Sequence, residues 1–354
     1  MMLSAFLIFL VTFVAAALCT YVLTRCYIRY ALRRGVIDTP TDRSSHTTPT
    51  PRGGGVSIVI VSLLLLAAAV LTDSPWFGPI PTSNIAALLV GGTLVAAIGF
   101  IDDVRSLSSK IRFSTHFIAS VAALCLITPL PSLPLLGIEL SPAGHWAIKG
   151  FWLFAAALGL TWLINLYNFM DGIDGIAATE GITVLLGAAF IGAAGSQHAF
   201  AWTPLILLTA PLIGFLILNW SPARIFMGDG CSGFLGITLG LLAIIYAANT
   251  PLNLWAWAIL LGVFIVDACW TLTTRILTGQ QWHQPHRSHC YQILSRKWRS
   301  HSKVTFGTGI INLLWLTPLA LLSSLFPSYG WLCLLLAYGP LLVLCRAHGA
   351  GLHN

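Results

Sequence analysis

The sequence predicts an all-α integral membrane protein, a bundle of about eleven transmembrane helices with its N-terminus periplasmic and its C-terminus cytoplasmic. Three observations carry this. Of 354 residues, 57% are apolar and 8% charged, whereas a soluble domain carries roughly a quarter charged residues. The mean hydropathy of +0.85 is concentrated in runs of about 18 to 22 residues, the length that crosses a bilayer as a helix. The basic residues between those runs then alternate between many and almost none, as the positive-inside rule requires.

The predicted spans are roughly 3–24, 54–72, 84–101, 114–130, 145–164, 179–195, 201–219, 233–249, 255–274, 304–325 and 330–345. The first is too long and too weakly basic at its start for a cleaved signal peptide and is read as a retained span. Pro129-Leu130-Pro131 and Thr250-Pro251 punctuate two of the joins. Arg25 to Arg52 follow span one, Arg105, Lys110 and Arg112 span three, Arg224 span seven, Arg275 to Lys303 span nine, and Arg346 span eleven. Odd-numbered spans therefore exit into the cytoplasm, and Lys149 alone among the basic residues falls on the other face. Apart from Asp73 and Glu139 the outer loops are uncharged. Residues 1–354 form a single polytopic domain, with cytoplasmic loops 25–53, 102–113, 165–178, 220–232 and 275–303. The net charge of +7 lies against anionic headgroups and implies membrane lipid as a partner, with no nucleic acid. Eight cysteines without a CxxC pair read as buried thiols.

Five polar clusters fall on that cytoplasmic side. Asp102-Asp103 ends span three, where paired carboxylates suit a shared divalent cation or a base beside one, or simply an acidic helix end balanced by Arg105 and Lys110. Asn165, Asn168, Asp171 and Asp174 follow span five, the last three recurring every third residue as they would on one side of a helical turn. Asn219 to Gly233 surround Asp229 with glycines before span eight, where a helix N-terminus offers amides to phosphate, or where Ser232 merely caps the helix. Loop 275–303 gathers His283, His286, Arg287, His289 and His301, suited to diphosphate charge. A zinc site there lacks the paired thiolates. Loop 38–55 carries Asp38, Asp42, Arg43, His46, Arg52 and Gly53-Gly54-Gly55, either an anion-binding backbone or an extended Pro-rich connector. Asp267 lies inside span nine, where a carboxylate is costly, and reads first as structural, with Arg275 two helical turns on. Metal-binding carboxylates, glycine-rich turns and a His/Arg loop are the parts of phosphoryl-type transfer, which depends on positioning and charge neutralisation.

These residues resemble the polyprenyl-phosphate N-acetylhexosamine-1-phosphate transferases. The likeness runs from Asp38 to Gln292 and rests on Pro51-Arg52-Gly53-Gly54, Asp102-Asp103, Asn168-x-x-Asp171-Gly-x-Asp174-Gly175, Phe226-Met-Gly-Asp229 and the His286–His289 loop, in that order. It implies transfer of a sugar 1-phosphate from a UDP-N-acetylhexosamine to undecaprenyl phosphate with release of UMP, on the cytoplasmic face of the bacterial inner membrane. It implies Mg²⁺ (or Mn²⁺) on Asp229 with Asn168 and Asp103 nearby. Asp102 or Asp103 would serve the lipid phosphate. Arg52, Asp171, Asp174, Asn219 and Phe226 would bind substrate, the ring stacking on uracil, and His286, Arg287 and His289 would meet the diphosphate or sugar. Many members carry a run of histidines where this chain reads His286-Arg-Ser-His289-Cys-Tyr-Gln292. That variant resembles the O-antigen-initiating branch, which handles sugars such as N-acetylfucosamine or N-acetylquinovosamine. The family's Gly-Asp-x-Gly-Ser reads Gly228-Asp229-Gly230-Cys231-Ser232 here, one glycine having moved one place. Homodimer formation is an open expectation. The rival readings are a proton-coupled transporter, which expects polar residues at mid-bilayer and repeat symmetry, and a scaffold, which leaves the clustered acids unexplained.

Overall fold

A computed structural model describes residues 2–40, 48–72, 80–135, 138–140, 146–195, 202–281, 284 and 286–352. Asp42, Arg43, His46, Asp73 and His283 lie outside them. The described chain is built of helices: α1 (Met2–Arg34), α2 (Val56–Leu71), α3 (Thr82–Arg105), α4 (Ser109–Leu124), α5 (Trp146–Met170), α6 (Ile176–Gly195), α7 (Thr203–Asn219), α8 (Asp229–Asn249), α9 (Leu254–Leu260), α10 (Gly262–Leu277), α11 (Cys290–Trp298), α12 (His301–Ile311), α13 (Thr317–Leu325) and α14 (Gly330–Ala347). Two short antiparallel ladders, β1 (Ile37–Asp38) with β2 (Thr50–Pro51) and β3 (Leu133–Leu135) with β4 (Ile138–Leu140), tie off loops.

Among the described residues seven helices are long and apolar enough to span a membrane, or eight if the bent pair α9–α10 is one span. The chain is therefore a multi-pass membrane protein. The predicted count of eleven goes further than that. It includes α2 and α7, apolar but of 16 and 17 residues, and α4, which is shorter than its predicted segment. Other boundaries also moved. α1 continues through the predicted first loop as far as Arg34. The predicted straight span nine breaks at Leu261 with a bend of 75°. Span ten widens into a π-turn over Asn312–Leu316, and loop 275–303 contains α11.

α8 is the hub, with 89% of its apolar window buried. Its glycines allow this by letting other backbones approach closely, the packing available to helices in lipid. A Cβ on Gly236 would lie 2.7 Å from the α5 backbone at Ile164, and one on Gly240 2.4 Å from Leu160. On the facing helix, a Cβ on Gly99 would lie 2.6 Å from Gly230 Cα. α8 is thus clasped between α3 and α5. Hydrogen bonds then bring the C-terminal ends of α3, α5 and α7 to the N-terminal ends of α2, α6, α8 and α12, so the acidic clusters converge on one end of the bundle.

Candidate active site

At that end lies a cleft of about 290 Å³. Its walls carry Asp38, Arg52, Asp103, Asp171, Asp174, Asn219, Phe226, Asp229, Gln292 and His301. Seven of these were singled out as site residues from sequence: Arg52, Asp103, Asp171, Asp174, Asn219, Phe226 and Asp229. Asn168 and Asp102 do not line this cleft. They line a smaller recess on the other side of Asp229, with Arg112, His116 and Asn165.

The glycine-rich turns hold the protein's own backbone. Gly54 N–H donates to Phe226 O (3.0 Å), Gly55 N–H to Met227 O (2.9 Å), and Phe226 N–H to Pro51 O (2.9 Å). A Cβ on Gly54 would sit 2.2 Å from Ile225 Cγ1, so this position needs glycine for packing. At the start of α8, Gly230 N–H donates to Asp103 Oδ2 at 3.2 Å, while the Cys231 and Ser232 amides bond to Gly228 O. The amides expected to wait for phosphate are engaged, and the anion at the α8 N-terminus is Asp103 itself. Ser232 does not cap α8: its hydroxyl bonds to Asp229 O and receives Asn168 Nδ2 at 3.3 Å. Gly228 has φ +86° and its Cβ would meet Gly53 Cα at 2.8 Å, so the loop crossing tolerates no side chain.

The two adjacent acids of α3 diverge. Asp102 is buried, accepts the Leu107 amide, and pairs with Arg112 Nη1 at 2.8 Å. Asp103 faces the cleft, and its carbonyl accepts Arg52 Nη2. Arg112 Nη1 also lies 3.7 Å from Asp229 Oδ2, while Asn168 hydrogen-bonds the Asp229 carboxylate.

Asn168 is the last of its cluster on α5. The chain leaves the helix at Met170, so Asp171 and Asp174 sit on a turn closed by Gly175 at φ +75° and not on a continuing helical face. Burial, then the charges of Asp229, Asp103 and Asp174, push Asp171 well above the ordinary carboxylate range. Burial also works to raise Asp174, but hydrogen bonds from His301, Ser221 and the Ala223 amide win, and hold it below its ordinary value. Its carboxylate meets His301 Nδ1 at 3.2 Å. Asn219 braces the same turn, accepting Gly175 N–H (3.1 Å) and donating to Ile225 O (2.8 Å). His301 stood in the sequence only as one histidine of a loop; no local pattern links it to a turn so distant in the chain.

His286, Arg287 and His289 do not line the cleft; His289 connects to it through Gln292, whose Oε1 accepts the His289 amide at 3.4 Å. Asp267 Oδ1 and Oδ2 accept the Cys290 and Tyr291 amides at 2.9 Å each, fixing the start of α11, and Asp267 Oδ1 meets His289 Nδ1 at 3.3 Å. A carboxylate only accepts, so His289 carries a proton on Nδ1 and donates it to Asp267. Arg275 donates to Ser288 Oγ (3.2 Å), to Gln280 Oε1 and to Gln281 O. The Ser288 hydroxyl and amide reach His286 Nδ1 at 3.0 and 3.5 Å, which leaves the His286 proton on Nε2. The two rings stack at 5.0 Å. Arg287 is half-buried, its carbonyl held by Arg296. Asp267 and Arg275 are therefore not partners of each other; both organise this loop.

Burial, then His289 and Arg275, hold His286 down at about 4 from 6.5, against the opposing pull of Asp267. The unfolded chain takes up a proton between pH 6.5 and 4 that the folded loop refuses, so stability rises with pH across that window and is complete above it. His286→Asn should flatten the fall of the thermal midpoint as the pH is lowered through that range.

The donor set around Asp229 is hard oxygen, the chemistry Mg²⁺ prefers. Among the described residues no three His, Cys, Asp or Glu side chains form a ready-made metal cage. An ion of this kind is commonly held by one or two carboxylates together with substrate phosphates and water.

Residues 85–247 match the model of glycosyl transferase family 4. The probable undecaprenyl-phosphate N-acetylglucosaminyl 1-phosphate transferase of Bacillus subtilis is 28% identical, over 93% of this chain and 88% of its own length. The decaprenyl-phosphate N-acetylglucosaminephosphotransferase of Mycolicibacterium smegmatis is 29% identical over 81% of this chain and 75% of its own. The phospho-N-acetylmuramoyl-pentapeptide-transferase of Chlamydia muridarum is 32% identical over 62% and 66%. The residues that resemble glycosyl transferase family 4, 85–247, are those that bring Asp103, Asp171, Asp174 and Asp229 to one cleft.

Proposed function

We propose that this protein transfers an N-acetylhexosamine 1-phosphate from a UDP-sugar to undecaprenyl phosphate, releasing UMP, at the cytoplasmic face of the bacterial inner membrane. The product would start a lipid-linked surface polysaccharide of the O-antigen type. One observation carries the reading: Asp103, Asp171, Asp174 and Asp229 share a single cleft with Arg52 and Phe226, a crowding of acids that calls for a cation and an anionic substrate. An N-acetylhexosamine donor without a peptide is favoured by the relatives. The N-acetylglucosaminyl transferase aligns over 93% of this chain, the pentapeptide-transferase over 62%. Within that class, the His286 to Gln292 variant favours a deoxy sugar such as N-acetylfucosamine or N-acetylquinovosamine. A panel of UDP-sugars tests that choice.

In this reading a lipid phosphate oxygen attacks the β-phosphorus, the bond to the bridging oxygen breaks, and that oxygen leaves on UMP. Asp229, Asn168 and Asp103 would hold Mg²⁺ or Mn²⁺, which supplies charge neutralisation at the pyrophosphate. Asp103 serves the lipid phosphate, because Asp102 is already committed to Arg112 and the Leu107 amide. Arg52 lines the wall as the cationic side chain of the cleft, and Phe226 offers a ring for uracil to stack on. Asp174 and Asn219 hold the acid-bearing turn. His286 presents its Nε2–H and His289 its Nε2 for the diphosphate or sugar.

Asp229→Asn and Asp103→Asn should each lower turnover by at least about 100-fold in membranes given UDP-sugar, undecaprenyl phosphate and Mg²⁺, since electrostatic stabilisation is commonly the largest catalytic contribution. Undiminished lipid-linked product from both variants would overturn the proposal. A transporter has no comparable support: the cleft acids gather at helix ends.

A further inference from the structure

We propose that Glu180, outside the cleft and fully buried in the bundle, is a positioning residue that works as a neutral hydrogen-bonding strut, holding the acid-bearing turn and the histidine loop in register. The inference rests on the transferase reading for its effect on turnover.

Glu180 is 0% exposed on α6, just over one helical turn past the segment that carries Asp171 and Asp174. Its Oε2 accepts Asn312 Nδ2 at 2.6 Å, and the same amide nitrogen donates to Thr183 Oγ1 at 2.8 Å. Asn312 opens the π-turn between α12 and α13, and Thr317 Oγ1 donates to its carbonyl. The Phe264 amide, in the first turn of α10 just after the 75° break, also donates to the Glu180 carboxyl. One side chain thus ties α6 to the π-turn and to the broken end of α10. Three residues on from Phe264 is Asp267, which fixes the start of α11 and His289. Glu180 braces α10 one turn before Asp267, and Tyr291 Oη joins the histidine loop to the acid-bearing segment by donating to Phe169 O at 2.9 Å.

Its surroundings favour the neutral form. Glu180 Oε1 is buried with no hydrogen-bond partner, so no donor compensates a charge on that oxygen. None of the ion pairs among the described residues involves Glu180, and an uncompensated charge in so dry a place is far costlier than a neutral acid. Tyr167, on α5, is a titratable side chain that feels its charge.

Glutamine keeps the accepting oxygen and supplies donors, so it mimics the neutral acid. In the full-length protein Glu180→Gln should keep kcat within about threefold of wild type. Glu180→Ala and Glu180→Leu should lower kcat by tenfold or more, with KM for the UDP-sugar changed less than twofold. Hydrogen exchange at residues 286–292 should quicken in the alanine and leucine variants and stay as in wild type in the glutamine variant. A glutamine variant as impaired as the alanine one would mean that charge or proton transfer is needed, and would overturn the strut; so would wild-type turnover and exchange in Glu180→Ala. Asp229→Asn is assayed alongside. If it and Asp103→Asn both retain activity, the transferase reading fails, while the exchange measurement still decides the strut.

Discussion

Replacing Asp267 with Ala should free the start of α11 and silence the histidine loop. Four donors converge on this one carboxylate: the Cys290 and Tyr291 amides, His289 Nδ1, and Thr271 Oγ1 at 3.1 Å. All of these groups are buried. Each buried donor left without a partner costs about 1–3 kcal/mol, and the penalty falls on a nine-residue helix, too short to hold itself in water. The loop should therefore loosen before the bundle does. We expect kcat to fall by about 100-fold or more, as for a misplaced catalytic group, and amide exchange over residues 286–292 to quicken. The thermal midpoint of the bundle should change little. Asp267→Asn should resemble Ala, because its amide nitrogen is itself a donor and would face donors that the carboxylate oxygen accepted. Wild-type exchange in both variants would show that α11 is held by other means.

The apolar runs made the helices legible, and the alternation of basic residues picked out the end at which the site forms. Hydrophobic length and charge survive in any local window, so these readings needed no tertiary knowledge. What the glycines do was not legible. Gly54, Gly55 and Gly230 suggest free amides from sequence, but the amides of Gly54 and Gly55 bond to the Phe226–Met227 backbone and that of Gly230 to Asp103. A turn and its partner strand lie far apart in the chain, and a glycine kept for close packing looks the same as one kept for an anion. The roles of Asp102 and Asp103 were inseparable for a related reason: adjacent residues differ in which direction they face, and Arg112 decides which is committed. The break at Leu261 carries no proline to mark it. Glu180 lies inside the predicted span 179–195, where a lone carboxylate in an apolar run is itself a signal.

Gly99→Ala should be among the most damaging single-methyl changes in the bundle. The added Cβ would lie 2.6 Å from Gly230 Cα and 2.7 Å from Asp229 O. These are backbone atoms, so no side chain can rotate away; α3 and α8 must part by roughly 1 Å, and overpacking of this kind costs about 1–3 kcal/mol. The larger effect is on chemistry. Asp103 rides on α3 and bonds to the α8 amide of Gly230 at 3.2 Å, next to Asp229. Parting the helices lengthens that bond and separates the two carboxylates that define the cleft floor. A displacement of about 1 Å at a reacting centre is enough for roughly 100-fold in rate. Gly339→Ala is the control, since its Cβ would have nothing within 4 Å, and replacing a helical glycine there should be neutral or stabilising by up to about 1 kcal/mol. The two variants differ from wild type by the same methyl group. Equal turnover from both would mean that the close approach of α3 and α8 does not set the spacing of Asp103 and Asp229.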